Sequence, residues 1–307
     1  MPQAIDPIAR EADEDRCAET VAEAVLGLGA SFKAAGLDTP ELDARILVAE
    51  ACGLSREALI ANPQCRLTAS ESGRLSSFAA RRLAREPVAR IIGRRGFYGL
   101  DLEVGPATLD PRPDTETVVT AALQLASGAA GEVDGLRILD LGTGTGAILI
   151  ALLSSMPLAS GVGTDVDEAA LAIAARNAQR HGVSGRARFC RSAWLDEVDS
   201  KFDIVVSNPP YIPSKEIESL DPEVALYDPR LALDGGADGL AAYRAIAEGV
   251  HKVLLPEGNL VLEVGAGQAD AVLGICKARG LEPAQPSPHI WYDLAGRPRC
   301  VALRARR

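Results

Sequence analysis

The chain contains a short glycine-rich segment, ILDLGTGTGAI at residues 138–148, that constrains its fold more than any other feature. An apolar, strand-like run precedes Gly142, Gly144 and Gly146, and a helix-like run follows them. Glycines allow a tight turn and let a ligand approach the backbone closely. Asp165 ends the next predicted strand, at a distance along the chain typical of an acid that accepts hydrogen bonds from ribose hydroxyls. The segment therefore predicts a nucleotide-type cofactor site in an α/β domain.

The residues that follow this segment continue the alternation of strands and helices. We predict strands at 136–141, 161–164, 187–191, 202–206 and 259–264, and helices at 147–154, 167–180 and 238–253. Alternating βα units imply a mostly parallel sheet with helices on both faces. The segments 289–292 and 299–303 predict an antiparallel hairpin that closes the sheet.

The first part of the chain, residues 1–93, predicts a small all-α domain that recognises a partner or supports the next domain. Helices are expected at 18–35, after Thr39-Pro40, and after a capping box that runs from Thr68 to Glu71. The last of these helices shows one apolar face, made of Leu75, Phe78, Ala79 and Leu83.

Residues 94–112 change character, because apolar and acidic residues alternate around Leu100 and Leu102. This period predicts a β-hairpin that links two domains. The catalytic domain is then expected at 113–307, with its first helix from about Thr115.

Composition and charge exclude several classes of protein. The net charge is −10, with 13 basic and 14 acidic residues in 1–95 against 19 and 28 in the remainder. This balance disfavours indiscriminate binding to nucleic-acid backbones and predicts no stable nucleic-acid partner. A group of arginines between 81 and 95 is interpreted as a solvated helix face and its flank, in preference to an RNA contact.

Nothing in the sequence predicts export, membrane insertion or a metal site. The acidic N-terminus lacks a signal pattern, and no apolar run is long enough to cross a membrane. Six cysteines and three histidines are scattered without ligand spacing, which favours reduced thiols in a cytoplasmic protein without a metal.

The segment SNPPYIP, at 207–213, follows directly on the predicted strand 202–206. Pro209 and Pro210 have no N–H, so the local backbone offers carbonyl oxygens only. The two prolines also keep the segment stiff and extended. The strand thus ends in a rigid acceptor group at the edge of the sheet where ligands bind in open α/β domains.

Asn208 adds a side-chain carbonyl to this segment. Two oxygens that converge on one point could grip both hydrogens of a planar NH2 group, and Tyr211 adds an aromatic wall. With an S-adenosylmethionine-type donor at the glycine turn, the chemistry would be methyl transfer to nitrogen, with developing positive charge stabilised by fixed carbonyl dipoles. Trp194 could pack beside an adenine, but simple core packing is equally consistent with a lone tryptophan.

The glycine turn by itself leaves the cofactor open. Gly142, Gly144 and Ala147 also satisfy the GxGxxG/A pattern of nicotinamide enzymes. Those enzymes need an acid–base group poised at a carbonyl or alcohol, and residues 207–213 offer only acceptors.

Together these motifs resemble the class I S-adenosylmethionine-dependent methyltransferases, and most closely the release factor glutamine N5-methyltransferases (the HemK/PrmC family). The resemblance runs from about Arg90 to the C-terminus through GFYGLDLEV, PRPDTE, LDLGTGTGAI, SNPPYIP and YDPRLALDGGADGL. It implies a Rossmann-like methyltransferase domain after a helical accessory domain, with S-adenosylmethionine as cofactor. The implied substrate is the glutamine in the Gly-Gly-Gln loop of class I peptide release factors.

The resemblance also assigns residues to the site. The implied cofactor-binding residues are Gly142, Thr143, Gly144, Thr145, Gly146, Asp165, Trp194 and Asn208. The implied substrate-binding residues are Asn208, Pro209, Pro210 and Tyr211, of which Asn208, Pro209 and Tyr211 carry the catalysis. Arg112 and Glu116 in PRPDTE shape the pocket or form an ion pair at a helix start.

Three other functions share part of this pattern. An adenine-N6 methyltransferase acting on DNA or RNA needs the same amino clamp, and the arginines near 81–95 are its best support. A sister group that methylates a ribosomal-protein glutamine shares NPPY. A non-enzymatic cofactor-binding scaffold would have no need of an amide clamp.

Overall fold

The computed structural model describes residues 16–128, 135–285, 288–293 and 295–306. The chain forms two compact units, the first ending at Ile92 and the second beginning at Gly93. Within the described residues no helix combines the length and apolarity needed to cross a membrane. The recognition role assigned to residues 1–93 remains a prediction.

The first unit is mainly helical, as predicted. Its elements are β1 (Arg16–Thr20), α1 (Val21–Ala34), α2 (Pro40–Cys52), α3 (Arg56–Ala61), β2 (Arg66–Thr68), α4 (Ala69–Leu83) and α5 (Val88–Ile92). Phe32, Leu47 and Leu67 are fully buried at its centre. The antiparallel pairing of β1 with β2 was not predicted, because segments this short carry too little alternation to indicate a strand.

Local signals set the helix ends in this unit. Thr68 and Glu71 form the predicted capping box of α4, and Gly53 ends α2 at φ +62°. Thr39 precedes α2 as predicted, but its hydroxyl donates to Asp43 rather than capping the backbone. Of the predicted apolar face of α4, Leu75 is buried, whereas Leu83 at its end is 42% exposed.

The arginines of α4 and its flank are engaged inside the first unit. Arg82 is buried and its Nε donates to Asp43 at 2.8 Å, while Arg81 Nε donates to Glu86 at 2.7 Å. Arg85 donates to the carbonyl of Gly36. The interpretation as a solvated helix face is therefore wrong for Arg82, while Arg81, whose side chain is 40% exposed, and Arg85 remain solvated as they hold neighbouring segments together.

The second unit begins with a hairpin and then alternates strands and helices. Its elements are β3 (Arg94–Phe97), β4 (Leu100–Glu103), α6 (Glu116–Gly128), β5 (Arg137–Leu141), α7 (Ala147–Ser155), β6 (Ser160–Asp165), α8 (Glu168–Arg180), β7 (Ala187–Arg191), β8 (Phe202–Ser207), α9 (Pro222–Ala225), α10 (Arg230–Leu233), α11 (Ala241–Gly249), β9 (Leu254–Glu263), α12 (Ala269–Ala278), β10 (Glu282–Pro283), β11 (Ile290–Tyr292) and β12 (Pro298–Arg304). Short 3-10 helices lie at Pro113–Thr115, Ser214–Ser219 and Val250–Lys252.

The described strands of the central sheet follow the order β10-β12-β9-β8-β5-β6-β7, and β11 pairs with β12. Strands β9, β8, β5, β6 and β7 are parallel, whereas β12 runs antiparallel to β9. The predicted α/β fold and its closing hairpin, now β11–β12, are confirmed. Because Leu141 lies opposite both Thr164 and Ser207, the carboxyl ends of β5, β6 and β8 meet at one edge.

Two apolar layers cover the faces of this sheet. One face packs against α6 and α7, through residues such as Val118 and Leu149. The other packs against α11 and α12, through residues such as Tyr243 and Val272. The β5 and β8 strands are buried between these layers. Packing on both faces therefore holds the carboxyl ends of these strands, where the site lies, in a fixed position.

The predicted hairpin forms between β3 and β4 and packs on α8. Arg176 pairs with Glu103, and Arg180 pairs with Asp101, both at 2.6 Å. Asn177 is fully buried; it accepts from the Glu103 N–H and donates to the carbonyl of Thr145 in the glycine turn. The hairpin is thus anchored to α8 and to the turn that follows β5.

Candidate active site

A cavity of about 340 Å³ opens at the carboxyl ends of the parallel strands. This volume lies within the range of about 300–1,000 Å³ found for small-molecule sites. Its walls come from the turn after β5, the ends of β6, β7 and β8, and two flanking segments. The predicted site residues on these walls are Gly142, Thr143, Gly144, Thr145, Asp165, Trp194, Asn208 and Pro210.

Two flanking segments contribute residues that were not predicted to line the cavity, and neither Arg112 nor Glu116 is on its wall. Residues before α6 line one side, namely Ala107, Thr108, Leu109, Pro111 and Thr115. Residues around α10 line another, namely Pro229, Leu231, Ala232 and Asp234. Pro111 and Thr115 belong to PRPDTE, and the four residues around α10 belong to YDPRLALDGGADGL, whereas Ala107, Thr108 and Leu109 lie outside both motifs.

The glycine turn adopts a backbone that only glycine takes without strain. Gly142, Gly144 and Gly146 have φ of +68°, +53° and +80°. A Cβ on Gly146 would also lie 2.9 Å from Ile150 Cδ1, where α7 begins. Gly146 is not on the cavity wall; it shapes the turn that presents the preceding residues.

Asp140 lies under this turn, inside β5. Its Oδ2 accepts from the Thr143 hydroxyl at 2.6 Å, and its side chain is buried. Burial raises the pKa of Asp140 to about 7, and the charge of Asp165 adds to the rise. Sequence reasoning missed this residue, although an acid within an apolar strand was a visible signal.

Asp165 ends β6 beside the turn, as predicted. Its Oδ2 accepts from the Gly144 N–H and its Oδ1 from the Asp167 N–H, each at 3.0 Å. These two backbone donors fix the carboxylate on the cavity wall. Each carboxylate oxygen keeps a further lone pair that a ligand hydroxyl could use.

Trp194 follows β7 in a left-handed conformation with φ +54°. A Cβ on Gly142 would lie 3.8 Å from its Cζ3, so the indole ring stands beside the glycine turn. The ring lines the cavity and also packs against the apolar layer that contains Tyr243. The Trp194 ring therefore both packs against the core and lines the cavity.

Asn208 follows directly on Ser207, the last residue of β8. The Ser207 hydroxyl donates to the Leu141 carbonyl at 2.7 Å. The Asn208 Nδ2 donates to the Thr115 hydroxyl at 3.1 Å. This bond uses the nitrogen end of the amide, which leaves its oxygen end as the acceptor. Pro209 is buried, and neither it nor Tyr211 is on the cavity wall.

The segment after Asn208 is held in place by contacts to residues 233–239. The Ile212 N–H donates to the Leu233 carbonyl, and the Gly235 N–H donates back to the Ile212 carbonyl. A Cβ on Gly239 would overlap the Tyr211 carbonyl oxygen, which accepts from Gln268 Nε2 at 3.0 Å. The chain is thus rigid on both sides of the prolines.

Arg112 and Glu116 of the PRPDTE motif bind residues outside the motif and do not form an ion pair with each other. Arg112 pairs with Asp228 at 2.7 Å, and Glu116 accepts from the Tyr98 N–H at 2.8 Å. The pair proposed between Arg112 and Glu116 does not form. Each residue instead ties the segment before α6 to another part of the unit.

No group of three or more histidine, cysteine, aspartate or glutamate side chains among the described residues could hold a metal ion.

Two family models match the chain. The PrmC N-terminal domain matches residues 23–93, and the methyltransferase small domain matches residues 123–221. The chain is 47% identical to a release factor glutamine methyltransferase of Rhodospirillum rubrum, over 90% of this chain and 82% of the relative. It is also 47% identical to one of Bradyrhizobium diazoefficiens, over 90% and 92%, and 38% identical to one of Moorella thermoacetica, over 92% and 96%.

Solved structures show the same fold at low sequence identity. The catalytic domain of hMettl16, solved in complex with the MAT2A 3'UTR hairpin 6, superposes with a TM-score of 0.52 at 14% identity. The match covers 76% of this chain and 81% of that structure. The likeness concerns the methyltransferase fold alone.

Proposed function

This chain belongs to the release factor glutamine methyltransferase family, and we propose that it methylates the N5 nitrogen of the glutamine in the Gly-Gly-Gln loop of class I peptide release factors. The methyl donor is S-adenosylmethionine. The observation that carries the proposal is the setting of Asn208. Its amide nitrogen is engaged by Thr115, at the wall of a cavity shared with the glycine turn.

The cavity residues fit S-adenosylmethionine. Gly142 and Gly144 have no side chain to fill the space beside the turn, and Asp165 offers carboxylate oxygens to ribose hydroxyls. The ring of Trp194 offers an apolar surface to an adenine. When bound, S-adenosylmethionine supplies an electrophilic methyl group on a sulfonium sulfur.

The chain's own part in the reaction is to hold and polarise the acceptor amide. The Asn208 side-chain carbonyl and the Pro209 backbone carbonyl each accept one hydrogen of the glutamine NH2. Positive charge develops on that nitrogen during transfer, and fixed carbonyl dipoles stabilise it without reorganisation. We propose that Tyr211 packs next to this pair as an aromatic wall, and Pro210 lines the cavity beside Asn208.

Charge supports a protein partner over a nucleic acid. The net charge is −10, and most of the excess lies beyond residue 95. We propose that a release factor, which must present basic surface to ribosomal RNA, is attracted by this acidic unit in the cytoplasm. Complex formation should then weaken as ionic strength rises, and an affinity indifferent to salt would contradict this part of the proposal.

A transfer assay tests the proposed function. Labelled S-adenosylmethionine is offered with a purified class I release factor, with its loop Gln→Ala variant, and with adenine-containing DNA and RNA. We expect label on the unmodified release factor alone, and mass spectrometry should place the methyl on the loop glutamine.

The other arms identify the rival functions. Label on DNA or RNA and none on the release factor would show an adenine-N6 methyltransferase. Label on a ribosomal protein in a separate arm, again without label on the release factor, would show the sister activity.

A further inference from the structure

Glu263 lies behind the proposed amide clamp and was not predicted to take part in it. It ends β9 with a side chain that is 1% exposed. The Tyr211 hydroxyl donates to its Oε1 at 3.4 Å, and the Tyr243 hydroxyl donates to its backbone carbonyl at 3.0 Å. A buried carboxyl group therefore stands in contact with one of the predicted catalytic residues.

Thr115 connects the same carboxyl group to Asn208. Its side chain is buried, its oxygen accepts from Asn208 Nδ2, and its hydroxyl favours the charged form of Glu263. A hydroxyl that accepts one hydrogen bond still has its own hydrogen to donate. The Thr115 hydroxyl lowers the pKa of Glu263 and so lies beside its carboxyl group, while Glu263 Oε2 is buried and makes no hydrogen bond with a described residue.

We propose that Glu263 is a positioning residue of the amide clamp, acting on Tyr211 directly and on Asn208 through Thr115. A carboxylate at this place makes Thr115 donate toward it and accept from Asn208. That polarity turns the Asn208 nitrogen inward and its oxygen toward the cavity. Only this orientation presents an acceptor to a substrate NH2 group, while the reverse orientation presents a second donor.

The groups around Glu263 place its protonation near neutral pH. Burial raises the pKa of Glu263 to about 7, and Asp114 adds to the rise. The Thr115 hydroxyl, Arg299 and the Tyr211 hydroxyl oppose it. Two further titratable groups face the carboxyl, namely Tyr243 from α11 and Cys300 from β12. As pH falls through about 7, Glu263 gains a proton and becomes a weaker hydrogen-bond acceptor for the Thr115 hydroxyl.

The direct test is NMR of the Asn208 side-chain amide in protein labelled with [15N]asparagine, with the signal assigned by Asn208→Ala. We expect the signal to shift with a midpoint near pH 7 and to lose that midpoint in Glu263→Gln. Thr115→Val should move the signal at every pH, and Thr115→Ser should restore it. The matched control is Thr120→Val, which removes another hydroxyl of the same region that donates to the Glu116 carbonyl and should change nothing. A signal that ignores both pH and Thr115→Val would overturn the proposal.

Kinetics provide a second readout, which rests on the proposed function. Glu263→Gln and Thr115→Val should each lower kcat for release factor methylation roughly tenfold, and Glu263→Gln, whose side chain is not on the cavity wall, should not weaken S-adenosylhomocysteine binding. Unchanged kcat in Thr115→Val, with an active wild-type enzyme, would contradict the inference and leave the function intact. If the Asn208 signal shifts as expected but the wild-type enzyme transfers no methyl group to the release factor, the inference about Glu263 stands and the proposed function is contradicted. Should Glu263→Gln fail to fold, Thr115→Val carries both tests.

Discussion

The turn after β5 and the segment after β8 lie side by side at one sheet edge, yet their backbones offer opposite chemistry. The first contains three glycines at positive φ, leaves open space beside Gly144, and uses the Gly144 N–H to hold the Asp165 carboxylate. The second contains two prolines that have no N–H and presents carbonyl oxygens. The topology decides where a ligand can sit, and the local backbone decides whether a polar cofactor or an amino group is received there.

The largest expected effect lies on the acceptor side of this comparison. Asn208→Ala removes one of the two carbonyls that we propose hold the amide, and we expect kcat to fall on the order of 10²–10³-fold, as for loss of one group from an oxyanion hole. The measurement is the rate of methyl transfer to a release factor at saturating cofactor. The release factor with Gln→Ala in its loop gives the background.

A smaller effect is expected on the cofactor side. Asp165→Ala removes a carboxylate that two backbone N–H groups orient, and the loss of a charged hydrogen-bond acceptor is worth about 1.5–3 kcal/mol. Titration calorimetry with S-adenosylhomocysteine should show a Kd raised by roughly one to two orders of magnitude. Binding as tight as in the wild type would show that the carboxylate does not contact the cofactor.

The turn itself can be tested through stability. Gly146→Ala forces a side chain into φ +80° and toward Ile150, and we expect the free energy of unfolding to fall by about 1–2 kcal/mol. Gly144→Ala is the matched control, since its φ is +53° and no atom lies within 4 Å of the added Cβ. Denaturant titration should rank Gly146→Ala below Gly144→Ala, and equal losses would refute the packing argument.

The smallest expected effect concerns the stiffness of the second segment. Pro210→Ala adds an N–H and more freedom to the unfolded chain, so the free energy of unfolding should fall by about 0.4–1 kcal/mol. We also expect a lower rate of methyl transfer, with cofactor affinity retained. A variant as active and stable as the wild type would show that the prolines are not needed for rigidity.

Much of the sheet could be predicted because its signals are local. The strand before the glycine turn, the turn, and the strand before SNPPYIP each contain their own apolar run and turn residues. The predicted bounds of β7 match the structure, those of β5 and β8 differ by one residue at one end, and those of β6 differ by one residue at each end. The helix α12 was missed, because glycine and polar residues interrupt its apolar pattern.

The supporting contacts of the site could not be predicted in the same way. Asn208 and Thr115 are 93 residues apart, and Tyr211 and Glu263 are 52 apart. No periodicity or spacing in the sequence relates such pairs, since they meet only because α6 and β9 flank β8. The arginines of α4 illustrate the same limit, because their acidic and carbonyl partners come from other segments.

We propose that the turn after β5 binds the cofactor and that the segment after β8 holds the acceptor amide. The most direct test compares the single-turnover rates of Asn208→Ala and Asp165→Ala as the cofactor concentration is raised to saturation. We expect Asp165→Ala to recover most of its rate at high S-adenosylmethionine, because its defect is in binding. We expect Asn208→Ala to stay slow at every concentration, because its defect is in holding the acceptor amide. Recovery of Asn208→Ala at saturating cofactor would contradict the proposed clamp.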